Sequence, residues 1–213
     1  MNFEDWEPIY LEILEDMGYN RSQDEYAARL LSEMLFSQEH SVSLQVLTGL
    51  IKDRDVMICG NAPGLRDDLE LIEGSDYCVI AADGAAAVLM DVGIVPQIIV
   101  TDLDGDIEAE IEANAQGAVM VVHAHGDNIA LIRDVVPQLF SIIGSTQSAP
   151  LENVYNFGGF TDGDRCVFLA HEFGASGMKL IGFDFNDPDV TDSKKKKLTW
   201  ARRLIYSILP KGD

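Results

Sequence analysis

From Asp55 onward the chain alternates short, continuous apolar runs with helix-length amphipathic stretches, and few folds accept that pattern. The runs are "VMICG", "YCVIAAD", "IIVTD", "AVMVVHAH", "FSIIGS", "NVYNFG" and "KLIGFDF". Such runs do not alternate inward and outward, so both faces of each strand must be covered. Segments near 84–92, 106–116, 128–140 and 162–174 supply the covering helices, and a last helix spans 194–209. The expected class is α/β, Rossmann-like: a mainly parallel sheet with helices on both faces. The stretch 140–160 breaks the rhythm, because two strands joined by a short loop with Pro150 predict a local hairpin.

The first fifty residues have a helical period instead. Trp6, Ile9, Tyr10, Ile13, Leu14 and Met17 share one helical face. "SQDE" then places Ser22 and Glu25 at capping-box positions ahead of Tyr26, Leu30, Leu31, Met34 and Leu35. A third helix is expected from Leu44 to Ile51. The chain thus divides into a helical segment, 1–52, and an α/β domain, 53–213. The helices serve either as a cap or oligomer contact, or simply as packing on the sheet.

A chain of 213 residues that is 47% hydrophobic can bury a full core without staples. Cys59, Cys78 and Cys166 form no paired motif, which suits a reducing compartment. The N-terminus is acidic, and no apolar run reaches the roughly 18 residues of a membrane span. The expectation is a soluble, cytoplasmic protein with no membrane partner. A formal charge of −21 speaks against a nucleic-acid partner and requires that any phosphate substrate meet local cations, either a metal or a basic patch.

In parallel α/β sheets, ligands bind beyond the carboxyl ends of the strands. Those ends read "GNAPG", "ADGAA", "TDLDGD", "HAHGDN", "GSTQ", "GGFTDGDR" and "GFDFND", which send Asp83, Asp102, Asp104, Asp127, Asp162, Asp164 and Asp184 to one edge. A single Asp there is ordinary helix capping, the expected role of Asp106. Many carboxylates together repel unless a cation neutralises them, and Mg²⁺ is the hard ion that suits oxygen ligands and phosphates. Strand alternation is expected to turn Asp102 and Asp104 the same way. Gly60, Gly64 and Gly84, with Asn61, let a phosphate chain approach backbone amides, although "GNAPGL" is neither GxGxxG nor a P-loop. His123 and His125 share a strand face. They offer a general base, His125 being nearer the loop, or a zinc site with Asp102 or Asp127. "KKKK" opposes the helix macrodipole at 194–197, so Lys196 and Lys197 are candidates to clamp polyphosphate.

Taken in order, "ADGA", "TDLDG" and "HAHGDN" resemble the metal-binding elements of thiamin pyrophosphokinase catalytic domains. With "GGFTDGDR", "GFDF" and the lysines before "KLTWA", the chain more closely resembles the archaeal 6-hydroxymethyl-7,8-dihydropterin diphosphokinases over about 55–205. It departs from the thiamin enzymes at Ala85 and in the less acidic "HAHGDN". The resemblance implies Mg²⁺-dependent transfer of the terminal diphosphate of ATP to a reduced pterin, with AMP released, by a homodimer. It implies metal ligation by Asp83, Asp102, Asp104 and Asp127, with Lys196 or Lys197 assisting and His125 or a nearby Asp as base. Gln147, Asn156, Phe157, Asp162, Asp164 and Asp184 are the candidates for the pterin pocket. The alternatives are a thiamin-type kinase acting on another alcohol, and a nucleotide- or metal-binding protein without turnover.

Overall fold

In the computed structural model, which describes residues 1–37, 40–69 and 76–209, each of the seven apolar runs becomes a strand. They are β1 (Asp55–Cys59), β2 (Cys78–Ala82), β3 (Ile98–Thr101), β4 (Val119–Ala124), β5 (Ile142–Thr146), β6 (Val154–Tyr155) and β7 (Gly177–Ile181). One sheet holds them in the order β6-β5-β4-β3-β2-β1-β7, and every neighbouring pair is parallel. Nine α-helices are described: α1 (Phe3–Met17), α2 (Arg21–Ser37), α3 (Gln45–Ile51), α4 (Leu65–Asp68), α5 (Ala85–Asp91), α6 (Ile107–Ala115), α7 (Ile129–Val135), α8 (Asp162–Glu172) and α9 (Asp192–Ile208).

The two sheet faces explain why the runs are continuous. Met57, Cys59, Val79, Ala81, Ile99, Met120 and Val122 join one core cluster with α2 and with α5 to α7. Their neighbours Val56, Ile58, Cys78, Ile80, Ile98, Val100 and Val121 join a second cluster with α3, α8 and α9. Each Val, Ile or Met side chain among them, when withdrawn from water, contributes about 1.5–3 kcal/mol. In β1 to β5 polar side chains are confined to the strand ends, whereas the edge strand β7 carries an exposed Lys179 at its centre.

The expected hairpin at 140–160 is not formed. β6 runs parallel to β5, with Gly144 opposite Val154 and Ser145 opposite Tyr155. The short connection suffices because β6 is two residues long and pairs level with the upper half of β5. The chain therefore retraces only two residues, about 7 Å, rather than a whole strand. The capping box at Ser22 and Glu25 is likewise replaced. α2 begins at Arg21, two residues earlier than that box requires, and Asn20 Oδ1 accepts from the Ser22 amide at 3.0 Å.

The N-terminal helices pack into the body of the fold. α2 sets Ala27, Ala28, Leu31 and Leu35 onto the sheet face lined by Met120 and Val122. Trp6, Tyr10, Ile13 and Leu14 of α1 meet Phe160, Phe168, Trp200 and Leu204 near α8 and α9. Among the described residues, no helix is long and apolar enough to cross a membrane.

Strand order creates the binding crevice. From β1 to β6 each strand is added on the same side of its predecessor; α8 then carries the chain back so that β7 lies on the far side of β1. Loops leaving β1 and β7 diverge to opposite faces, the position at which open α/β sheets bind ligands.

Candidate active site

Three carboxylates meet at the ends of β2 and β3. Asp83, Asp102 and Asp104 each present an oxygen, and these oxygens lie within 4.8 Å of one another. Alternation along β3 is not what aligns the last two. The strand ends at Thr101, and Leu103 then adopts φ 68°, so a left-handed turn brings Asp104 back beside Asp102. Asp83 is also left-handed at φ 45°; Asp tolerates this region, whereas Leu103 holds it at a cost of about 1–2 kcal/mol. Complete burial of Leu103 keeps the turn closed. Thr101 Oγ1 braces it by donating to Asp83 Oδ1 at 2.9 Å and accepting from the Leu103 amide at 2.8 Å. Gly105 is required because a Cβ there would stand 2.6 Å from Asp83 Oδ2. Asp106 caps α6 as expected, accepting from the Ala109 amide at 3.1 Å.

The group is electrostatically tense. Burial and the charges of Asp102 and Asp83 push Asp104 up to about 6, against the pull of Lys197. Burial would raise Asp102 too, but its hydrogen bond and charge interaction with His125, aided by Arg165, hold it well below the usual carboxylate range. Asp102 Oδ1 is buried and has no hydrogen-bond partner among the described residues. Behind the group, Glu110 of α6 is 1% exposed, and neither of its oxygens has such a partner. Burial and the Asp83 charge push it up to about 9. Crowded, under-satisfied oxygen ligands of this kind fit a hard divalent cation such as Mg²⁺.

The turn after β4 supports the group from the side. His125 Nε2 lies 3.0 Å from Asp102 Oδ2, and His125 Nδ1 accepts from the Asp127 amide at 3.3 Å. Both ring nitrogens are thus engaged. Asn128 is buried beneath them, its amide nitrogen donating at 2.7 Å to both the Asp102 and His123 carbonyls. Asp127 itself is exposed in the 3-10 turn Gly126–Asn128 and is not one of the three gathered carboxylates. His123 is buried against Ser145, 3.1 Å away, and burial lowers its basicity.

Two cavities flank the carboxylates. The larger, about 420 Å³, opens at the β1–β7 crevice between loops 60–63 and 182–187, with Phe183, Phe185, Val190 and Leu198 as apolar walls. Gly60, Asn61 and Asp184 line it, and Asn61 covers Gly84 where no Cβ would fit. Gly64 takes the cap position of α4. The smaller cavity, about 120 Å³, is polar and is lined by Tyr19, Gln147, Phe160, Arg165 and Lys197 with the carboxylates. Asp83, Thr161, Asp162 and Lys194 border both.

Other candidates fall elsewhere. Asp164 directs its carboxylate to the Phe160 and Thr161 amides at 2.5 and 2.8 Å, capping α8. Asn156 donates to the Ser148 carbonyl at 2.8 Å, and Phe157 stacks with Tyr155 at 5.9 Å between centroids. Lys196 Nζ pairs with Asp16 at 3.0 Å, at the end of α1. Residues absent from the sequence expectations include Arg165, buried between Asp162 and Gln147 at 3.2 Å from each, and Lys194, Thr101, Glu110 and Tyr19. Arg165 ends the quoted "GGFTDGDR", so a cation next to two acids was a usable signal.

Residues 31–190 match the family model described as "6-hydroxymethylpterin diphosphokinase MptE-like". A 6-hydroxymethyl-7,8-dihydropterin pyrophosphokinase of Pyrococcus furiosus is 42% identical, over 100% of this chain and 96% of the relative. The proteins so named from Methanothermobacter thermautotrophicus and Methanocaldococcus jannaschii are 42% and 38% identical, covering 100% and 99% of this chain and 97% of each relative.

Proposed function

The chain belongs to the MptE-like family of 6-hydroxymethylpterin diphosphokinases, and on that premise we propose that it moves the terminal diphosphate of ATP to the hydroxymethyl group of 6-hydroxymethyl-7,8-dihydropterin. The observation that carries the reading is the convergence of Asp83, Asp102 and Asp104 between two cavities. The larger cavity, with its aromatic walls at the topological switch, suits the nucleotide. The smaller one offers Asp162, Gln147 and Arg165 as hydrogen-bonding groups, with Tyr19 and Phe160 as flat walls for the pterin.

In this mechanism the substrate hydroxyl attacks the β-phosphorus in line. A new oxygen–phosphorus bond forms, the bond to the bridging oxygen breaks, and AMP leaves with that electron pair. Asp83, Asp102 and Asp104 would hold Mg²⁺, which when bound would neutralise charge on the phosphate oxygens. Lys194 and Lys197 border the polar cavity and add positive charge to it. With both nitrogens engaged, His125 orients Asp102 rather than taking the hydroxyl proton, which passes to a carboxylate of the group or to water. Holding two reactants on opposite sides of one charged seat is itself a large part of such catalysis.

The test is incubation with ATP, Mg²⁺ and either the reduced pterin or thiamin, with the nucleotide product resolved. AMP formed with the pterin alone is the expected result. ADP, no product, or equal turnover of thiamin would sink the proposal. Asp102→Asn with Asp104→Asn is expected to abolish turnover.

A further inference from the structure

Asp24, in the first turn of α2, is 4% exposed, although it belongs to none of the loops that end the strands. Its carboxylate joins three separate parts of the fold. Oδ1 accepts from the Gly126 amide at 2.9 Å; Oδ2 accepts from the Tyr10 hydroxyl at 2.7 Å and from Gln147 Nε2 at 2.8 Å. All three partners are neutral donors. Burying a carboxylate against neutral donors is costly, and core stability alone would be better served by an apolar side chain.

Two of the three branches, through Gly126 and Gln147, reach the active site one step later. Gly126 follows His125, whose ring meets Asp102. The turn rests directly on α2, since a Cβ at Gly126 would lie 2.7 Å from the Gln23 Cβ. On the other branch, Gln147 gives its amide nitrogen to Asp24 and so turns Oε1 towards Arg165 Nη2, 3.2 Å away. Arg165 Nη1 in turn faces Asp162 at 3.2 Å. Asp24, an acceptor, and Arg165, a donor, thereby fix the Gln147 amide between them.

We propose that Asp24 is a positioning residue for the acceptor side of the site, setting the Gln147 amide and the His125 turn from outside the α/β sheet. The inference rests on the reading that the smaller cavity takes the pterin. Asn offers one acceptor where the carboxylate has two, so Asp24→Asn must turn its amide nitrogen against either the Gly126 amide or Gln147 Nε2, and one of the two links to the site is lost. Pairing Asp24→Asn with Gln147→Glu restores the pattern: the new amide donates to the new carboxylate, whose other oxygen accepts from Arg165.

Steady-state kinetics of these two variants, with Tyr10→Phe as control, make the test. Asp24→Asn is expected to raise the pterin KM about tenfold while the ATP KM stays within about twofold, and the paired variant to recover most of the loss. Tyr10→Phe is expected to lower the melting temperature without moving the pterin KM. An unchanged pterin KM in Asp24→Asn, no recovery in the pair, or an equal KM rise in Tyr10→Phe would overturn the proposal. If Asp24→Asn does not fold, the paired variant alone decides, a near-native KM supporting the proposal and a raised one overturning it. Amide hydrogen exchange at Gly126, measured without substrates, separates the two readings. Faster exchange in Asp24→Ala, which removes the acceptor altogether, supports the positioning role even if the wild type proves inactive on pterin, and unchanged exchange counts against it.

Discussion

His125 Nε2 stands 3.0 Å from Asp102 Oδ2, tying the tip of β4 to the tip of β3, its neighbour in the sheet. Without that contact burial would favour the neutral acid at Asp102, a poor metal ligand. His125→Ala is therefore expected to weaken divalent-ion affinity about 10–100-fold, with His125→Gln, which keeps a donor, losing less. Calorimetric titration with Mn²⁺ checks it, and equal losses for the two variants would remove the orienting role.

Asp104 is expected to make metal binding depend on pH. With its carboxyl pushed up to about 6, a proton competes with the ion below that pH. Affinity is expected to fall about tenfold per pH unit below 6 and to level off above it. In Asp104→Asn the break near pH 6 is expected to vanish. Titrations at several pH values between 5 and 8 decide the matter.

Glu110 affects stability instead. Its folded value, about 9, lies above the ordinary carboxylate value, so between these limits the folded chain holds a proton that the unfolded chain has released. Stability from this group is full below the ordinary value and is lost as pH rises towards 9. Glu110→Gln keeps the shape and removes the proton linkage, and it is expected to raise stability at pH 7 by about 1–3 kcal/mol. Denaturant melts of the metal-free protein at pH 5, 7 and 9 should converge at the acid end and separate at the alkaline end.

Two adjacent lysines are expected to differ. Lys197 borders the polar cavity, whereas Lys196 is engaged by Asp16 on an exposed surface. Lys197→Ala should reduce kcat/KM about tenfold or more. Lys196→Ala should change stability by less than about 1 kcal/mol and leave kinetics near wild type. The reverse ranking would mean that the helix presents its other side to phosphate.

How much of this was legible in the sequence depended on how local the cause was. Strands and their covering helices could be read because a sheet buried on both faces tolerates no polar interruption, as Val56 to Cys59 illustrate. The position of Asp83, Asp102 and Asp104 followed from the same logic, since acids after such strands must face the ligand edge. Their mutual alignment did not follow from alternation; it came from the left-handed Leu103. β6 was misread because two residues carry too little pattern to show direction. Glu110, Arg165 and Asp24 lie within helices, where one polar residue normally signals solvent; only packing shows that these are buried. Asp127 shows the converse: a short turn rotates it outward although its neighbour His125 points in.

The pairing of β1 with β7 has a consequence for the newborn chain. Cys59 and Ile181 sit side by side although almost the whole α/β part lies between them in sequence. Contacts so distant along the chain form late, and synthesis proceeds from the N-terminus. The growing polypeptide can therefore assemble β1 to β6 and the carboxylate group while the wall formed by 182–187 is still missing. Nucleotide affinity should arise abruptly as the last strand docks, so a chain truncated before Gly177 would retain most of its sheet yet fail to hold ATP.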